Sequence, residues 1–288
     1  MPLVTTREML KKAQKEGYAV GAFNANNMEI IQAIIETAEE EKAPVILQAS
    51  QGAIKYAGLE YIVAMVRVAA EKATVPVALH LDHGTDYLQN VKCLRAGFTS
   101  LMFDGSKLPF AENVAVTKKV CEIAHACGIP VEAEIGQIGK MGDSDEPGVA
   151  IEDTKKLMAK PEEAEEFVKQ TDLDSLVAAL GAIHGCRTPF AKLDIPRIKK
   201  IRSLTDRPLV LHGASGCNDE EVKKGIAAGI SKINIDTLIR MTFVRKAKQI
   251  MDEKPEEIDP RNILGPARKD AKEVIRGRIR VFGCAGKA

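Results

Sequence analysis

No charge of one sign dominates this chain of 288 residues: 41 Lys and Arg stand against 40 Asp and Glu, a formal net charge of +1. That balance argues against an extended nucleic-acid surface or a polybasic membrane patch. No run approaches the roughly 18 consecutive apolar residues that a membrane-spanning helix needs. The opening residues, Met1-Pro2-Leu3-Val4-Thr5-Thr6-Arg7, carry no apolar signal core. The expected location is cytoplasmic. The six cysteines, at 93, 121, 127, 186, 217 and 284, include no C-x-x-C pair. In a reducing compartment that scatter reads as small hydrophobes and free thiols, not as a disulfide framework. Cys186 and Cys217 fall close to two histidines of interest, but packing is their favoured reading. There is also no Pro/Gly-rich linker, no short-period repeat and no low-complexity segment.

What is present is alternation. Strand-like runs at 19–25, 44–50, 75–83, 100–104, 130–136, 175–184, 208–212 and 232–236 are interleaved with amphipathic helical patterns at 28–41, 59–72, 88–96, 110–127, 161–170, 195–204, 219–228 and 237–253. Several strand runs, such as Val45-Ile46-Leu47 and Leu209-Val210-Leu211, are continuously apolar. That is the pattern of parallel strands covered on both faces. Eight such units without a break in composition indicate an α/β protein with a single-domain (β/α)8 TIM barrel over residues 1–288. The Gly-, Asp-, Ser- and Pro-rich stretch at 136–160 is expected to be a mobile loop.

Only five histidines occur, yet three of them share one setting. His83, His184 and His212 each end an apolar run and each precede a glycine. In this barrel the C-terminal strand ends form the active-site rim, so the three imidazoles are expected to converge there. Three nitrogens with an open fourth position are the donor set of a catalytic zinc. His80, inside the third strand, is expected to be a satisfied structural histidine, and His125, on a helix, to lie at or near the surface; neither is expected to be a ligand.

Acidic residues join the same rim. Asp82 directly precedes His83 and reads as a general acid/base. Glu132 and Glu134 share one side of the fifth strand, which requires a metal or a buried basic partner. Asp104 ends the fourth strand, either as a further acidic ligand or as an Asp-Gly turn residue. The segments Gly213-Ala214-Ser215-Gly216 and Asn234-Ile235-Asp236-Thr237 follow the seventh and eighth strands, where barrels bind phosphate with backbone N–H groups and helix N-termini. Arg240 lies one turn beyond. No lysine ends a strand at a Schiff-base position, with Lys232 placed at the start of the eighth strand, so a covalent imine route is not expected.

With these residues in view, the chain resembles the class II, zinc-dependent ketose-bisphosphate aldolases, especially the fructose- and tagatose-bisphosphate branch. The resemblance runs nearly end to end. It is carried by Gly21-Ala22-Phe23-Asn24, Leu81-Asp82-His83-Gly84, Met102-Phe103-Asp104-Gly105-Ser106, Glu132-Ala133-Glu134-Ile135-Gly136, His184-Gly185, Leu211-His212-Gly213-Ala214-Ser215-Gly216, Lys232-Ile233-Asn234-Ile235-Asp236-Thr237 and Asp259-Pro260-Arg261.

The resemblance implies Zn2+ on His83, His184 and His212, with Glu134, and in some members Asp104, serving a second or shifted divalent-ion position. It implies that Asp82 is the acid/base at the C4 hydroxyl. It implies a dihydroxyacetone-phosphate cradle of Gly185, Gly213, Ala214, Ser215, Asn234, Ile235, Asp236 and Thr237, often with a monovalent cation, Na+ or K+. Asn24 joins the substrate-binding set, and Ser50, Arg240 and Arg261 match the positions serving the distal phosphate. The expected activity is reversible cleavage of fructose 1,6-bisphosphate, favoured over tagatose by Asp236. Alternatives are the same chemistry on tagatose 1,6-bisphosphate or a phosphorylated deoxy-ketogluconate, or a non-catalytic partner subunit. A homodimer or homotetramer is implied.

Two positions depart from the family pattern. Gly142 stands where relatives carry a loop glutamate, with Asp143, Asp145 and Glu146 as candidate substitutes. Cys186-Arg187-Thr188 replaces the x-Tyr-Lys that follows the relatives' His-Gly, leaving Arg187 as a candidate for the missing charge.

Overall fold

The computed structural model describes residues 3–141, 154–188 and 191–288. Eight parallel strands form one sheet: β1 (Val20–Asn24), β2 (Val45–Ser50), β3 (Val77–Asp82), β4 (Leu101–Phe103), β5 (Val131–Ile135), β6 (Ser175–Ala178), β7 (Leu209–Leu211) and β8 (Ile230–Ile235). Their spatial order is β3-β2-β1-β8-β7-β6-β5-β4. The two outer strands meet through Leu81 N to Ser100 O (3.0 Å), Thr99 N to Leu79 O (2.9 Å) and Asp104 N to Gly84 O (2.9 Å), which closes the barrel.

The strands fold this way because both their faces are covered. All of β1 and β3 is buried, and the outward side chains pack into a core shared with the surrounding helices. Side-chain caps set where those helices start: Asn27 accepts from Ile30 N, Asp86 from Leu88 N, and Asn218 from Glu221 N. Among the described residues no helix is long and apolar enough to cross a membrane.

Three departures from the sequence reading bear on the site. The run at 175–184 is not one strand. It breaks after Ala178, and Ile183–His184 pairs instead with Gly139–Lys140 in a small separate sheet. Gly181 permits the break: its φ is +100°, and an added Cβ would lie 2.5 Å from the Lys192 carbonyl oxygen. His184 therefore reaches the rim from outside the barrel wall.

Secondly, β8 begins two residues earlier than expected, with a register shift between Ile230 and Lys232 against β7. Lys232 is thus an interior residue of the strand, wholly buried, and not a residue at its start. Thirdly, helices cover more of the chain than the eight patterns. Thr6–Glu16, Gln51–Ala57, Thr154–Leu157 and Pro260–Val281 are also helical. Of the expected loop at 136–160, residues 142–153 lie outside the described residues, and with them Gly142, Asp143, Asp145 and Glu146.

Candidate metal centre and substrate cleft

Strand alternation delivers the first residues of the site. His80 and Asp82 of β3 point into the barrel, and the next residue would normally point out. His83 instead adopts a left-handed conformation, with φ +49°. The turn swings its ring onto the rim beside Asp82, so that two consecutive residues serve one site. Asn24 Nδ2 and Asn234 Nδ2 donate to the two Asp82 oxygens at 3.2 and 3.1 Å.

The three histidines do converge. Ring centroids lie 4.9 Å apart for His83 and His184, 4.7 Å for His83 and His212, and 6.0 Å for His184 and His212. One nitrogen from each falls within 4.8 Å of the others. His83 Nε2 and His212 Nδ1 face each other at 2.9 Å. Each of these rings has a carboxylate at its other nitrogen: Asp104 Oδ2 lies 2.7 Å from His83 Nδ1, and Glu132 Oε1 lies 3.0 Å from His212 Nε2. A carboxylate behind a ligating imidazole is the usual device for fixing its tautomer and direction.

Charge states follow from this crowding. For His83, burial works against the charged ring. The Asp82 charge, the Asp104 hydrogen bond and the Glu134 charge overcome it and push the ring up to about 10. Burial, then the charges of His83 and His212, push His184 down to about 3. Burial, opposed by the Glu132 hydrogen bond, brings His212 down to about 4. Burial would raise the Asp82 carboxyl, but the neighbouring His83 and His212 charges hold it below its usual range. Glu134 moves the other way, well above the usual carboxylate range, because it is buried beside Asp104.

The donor set fits a divalent cation. Two of the three imidazoles are neutral at physiological pH, as ligands must be. Glu134 Oε2 is buried 3.8 Å from His83 Nδ1 and has no hydrogen-bond partner among the described residues. A buried carboxylate oxygen left in that state is a place for a cation. His83, Asp104 and Glu134 form a second close group of donors on the other side of the same ring. Asp104 therefore has two available roles here, orienting His83 or ligating.

One cleft gathers most of the remaining residues read from the sequence. Asn24, Ser50, Gly185, Gly213, Ser215, Asn234, Asp236, Thr237 and Arg240 line it together with Asp82, His83, His184 and His212. Ala214 and Ile235 lie between lining residues but are themselves wholly buried and do not line the cleft. Gly213 has φ +69°, and a Cβ there would meet the Ile183 backbone at 2.9 to 3.1 Å. Thr237 opens the helix Thr237–Glu253 at the cleft and brings its positive dipole end there, with Leu238 N donating to Ser215 Oγ at 3.4 Å. Asp236 takes hydrogen bonds from Asn26 Nδ2 at 2.9 Å and pairs with Arg240 at 3.0 Å.

Arg261 is not brought in. Its side chain is 88% exposed and pairs with Asp259, outside the cleft of its own chain. Two lining residues escaped the sequence reading, Gln48 and Lys140. Gln48 carried a signal, as the one amide within the apolar run of β2. Its Nε2 donates to Asn24 Oδ1 at 2.7 Å, while its buried Oε1 has no partner among the described residues. Lys140 carried none, since its place depends on the small sheet with Ile183–His184. His80 is buried and held by Ser100 at 2.8 Å, while His125, expected at or near the surface, is partly buried and held by Asp174 at 2.8 Å. Cys186 and Cys217 are buried.

Comparison with known proteins shows the family. The family model described as "Fructose-bisphosphate aldolase class-II" matches residues 4–287. The fructose-bisphosphate aldolase of Thermus caldophilus is 45% identical over 311 aligned positions, spanning 99% of this chain and 100% of that one. The probable fructose-bisphosphate aldolase of Bacillus subtilis (strain 168) is likewise 45% identical, with 100% of both chains covered. Among solved structures, the YdjI aldolase from Escherichia coli K12 superposes with a TM-score of 0.84 at 34% identity, covering 99% of each chain.

Proposed function

The chain belongs to the class II fructose-bisphosphate aldolase family, a family of lyases, and we propose that it is a zinc-dependent aldolase of ketose 1,6-bisphosphates. Fructose 1,6-bisphosphate is the favoured substrate, cleaved reversibly to dihydroxyacetone phosphate and glyceraldehyde 3-phosphate. The observation that carries the reading is the convergence of His83, His184 and His212 beside a buried, ionised Asp82. Those three nitrogens would hold a zinc ion, which would supply a Lewis acid for the negative charge left by carbon–carbon cleavage.

The protein's own groups do the rest. Asp82, held by Asn24 and Asn234, takes the proton of the C4 hydroxyl in cleavage and returns it in synthesis. Gly185, Gly213, Ala214, Ser215, Asn234, Ile235, Asp236 and Thr237 cradle the dihydroxyacetone-phosphate end, helped by the helix N-terminus at Thr237. A monovalent cation, Na+ or K+, accompanies that phosphate. Ser50 and Arg240 serve the distal phosphate, joined by Arg261 of a neighbouring copy in a homodimer or homotetramer. Glu134, one of whose oxygens has no hydrogen-bond partner among the described residues, and Asp104 serve a second or shifted divalent-ion position. Arg187 supplies the charge that Thr188 does not, and an acid among Asp143, Asp145 and Glu146 moves the carbon-bound proton. The working location is the cytoplasm.

Release of dihydroxyacetone phosphate from fructose 1,6-bisphosphate tests the reading. Activity is expected to vanish with a chelator, return with zinc, and be lost by at least ~100-fold in Asp82→Ala, which still binds zinc. A zinc-loaded, folded protein that cleaves no fructose substrate would sink the substrate assignment. Tagatose 1,6-bisphosphate and a phosphorylated deoxy-ketogluconate are the next substrates in the same assay, because Gly142 replaces the relatives' glutamate. Silence on all of them would leave the non-catalytic partner.

A further inference from the structure

Beneath the three histidines lies a polar assembly that neither substrate binding nor proton transfer uses. Strand β8 turns Lys232 and Asn234 inward, Asp236 follows directly after it, and only the last two reach the cleft. Lys232 is wholly buried, and its Nζ lies 2.9 Å from both carboxylate oxygens of the equally buried Glu132. Glu132 Oε1 faces His212 Nε2 at 3.0 Å. Below them, His80 Nε2 is 3.4 Å from Lys232 Nζ and His80 Nδ1 is 2.8 Å from Ser100 Oγ. Thr6 Oγ1 donates to that same Ser100 oxygen at 3.0 Å. A line of polar contacts thus runs from the rim to the N-terminal helix Thr6–Glu16 at the far end of the barrel.

A buried ion pair generally adds less stability than apolar side chains filling the same volume. Its geometry here does something apolar residues could not. A neutral imidazole has one N–H and one lone pair, and a carboxylate at one nitrogen draws the proton there. In His212 the carboxylate is at Nε2, which leaves the lone pair on Nδ1. Nδ1 is the nitrogen that faces His83 Nε2 at 2.9 Å. Asn234 Nδ2 also approaches His212 Nε2, at 3.0 Å, and would favour the opposite tautomer. The ionised acceptor prevails because its bond is charge-assisted, whereas the second N–H of the Asn234 amide, whose first goes to Asp82, is a neutral donor.

We infer that Lys232 and Glu132 act as a positioning pair for His212, Lys232 clamping the carboxylate and the carboxylate fixing the ring's tautomer and direction toward the cation. The inference rests on the reading of His212 as a metal ligand. It brings into the machinery a lysine that never meets the substrate.

The test compares Glu132→Gln with the double variant Glu132→Gln/Lys232→Met, and uses His212→Ala as the reference. Co2+ is titrated into each protein against a chelator, its d–d absorption reporting coordination. Histidine ring 15N shifts report which nitrogen carries the proton. In Glu132→Gln the amide carbonyl turns to Lys232, so its NH2 faces His212 Nε2 and the proton moves to Nδ1. Co2+ affinity should fall by up to ~100-fold. In the double variant the carbonyl is released to accept from His212, the original tautomer returns, and the loss should shrink to ~10-fold. A purely structural pair would give no such rescue and no tautomer change. Should Glu132→Gln not fold, the double variant decides alone, since it should keep the Nε2–H tautomer with weakened Co2+ binding. Wild-type Co2+ affinity and spectrum in a folded double variant would overturn the inference. Unchanged Co2+ affinity in His212→Ala would instead overturn the ligand reading beneath it.

Discussion

His83 shows how far neighbouring charge governs a single side chain. Without a metal its ring is pushed up to about 10 from an ordinary 6.5, chiefly against its own burial, by Asp82, Asp104 and Glu134. The folded metal-free protein therefore holds a proton there that the unfolded chain has released by neutral pH. Its contribution to stability is fully present below about 6.5 and is lost as pH rises toward 10. His184 and His212 do not confuse this window, because above about 6.5 both are neutral in folded and unfolded chains. The raised Glu134 carboxyl, which also holds a proton that the unfolded chain releases, acts in the same direction. The melting temperature of metal-free protein is thus expected to fall between pH 7 and 10, while that of zinc-loaded protein does not follow it. Zinc affinity should rise over the same range by about tenfold per unit, as one proton is displaced. Calorimetry and chelator competition at stepped pH check both, and a zinc affinity flat across that range would refute the His83 assignment. The place of this residue on the rim was legible in the sequence, since a histidine before a glycine at a strand end recurs three times. Its left-handed backbone was not, because φ +49° at a non-glycine follows only from what the site demands of the rim.

At the scale of elements, the ligands are not equally supported. His83 and His212 directly follow β3 and β7, whereas His184 rides on Ile183–His184 outside the wall. Its position depends on Gly139–Lys140 on one side and on Gly213 on the other. Gly213→Ala would place a methyl within 2.9 to 3.1 Å of the Ile183 backbone, at a φ of +69°. We expect a destabilisation of about 1–3 kcal/mol and, from the displaced His184, weaker Co2+ binding with an altered d–d band. A melting curve with a Co2+ titration would settle it, and unaltered coordination would contradict this dependence. The strands themselves were readable from their apolar runs, to within a few residues. What escaped was the break after Ala178, because Ala179-Leu180 and Ala182-Ile183 continue the apolar run on both sides of Gly181. The two-residue shift at β8 escaped for a related reason. Ser231 and Lys232 look like a solvent-facing start until Glu132, a hundred residues away in sequence, is placed opposite them.

For the whole molecule, alternation and the absence of linkers were enough to read a barrel, since eight strand-helix units admit few other closures. The helix Pro260–Val281 was not read as one, though its motif was noticed. It packs on Met28–Glu40 and carries Lys272 and Arg276 onto Glu36, Glu40 and Glu41. At its start, Arg261 pairs with Asp259 and does not line its own cleft. If Arg261 serves a neighbouring copy, Arg261→Ala should raise KM for the bisphosphate by about 10-fold, consistent with losing one charged contact of ~1.5 kcal/mol. Mixed oligomers of Arg261→Ala with Asp82→Ala should then regain activity in sites that combine one intact Asp82 with the partner's intact arginine. Activity no higher than the sum of the separate variants would show that the arginine acts within its own subunit or not at all.

The inward residues of β8 have one more consequence, for how the chain finds its fold. Strand side chains alternate strictly, so a slip of one residue would turn Ser231, Ile233 and Ile235 inward and press Lys232, Asn234 and Asp236 against the helical shell. An ammonium, an amide and a carboxylate would lose their partners together, while apolar groups would face Glu132 and Asp82. Misregistered barrels are thereby disfavoured by the same three side chains that equip the finished one. Substitutions that made this strand uniformly apolar would do more than silence the site. They would remove the marker by which the closing strand recognises its correct alignment.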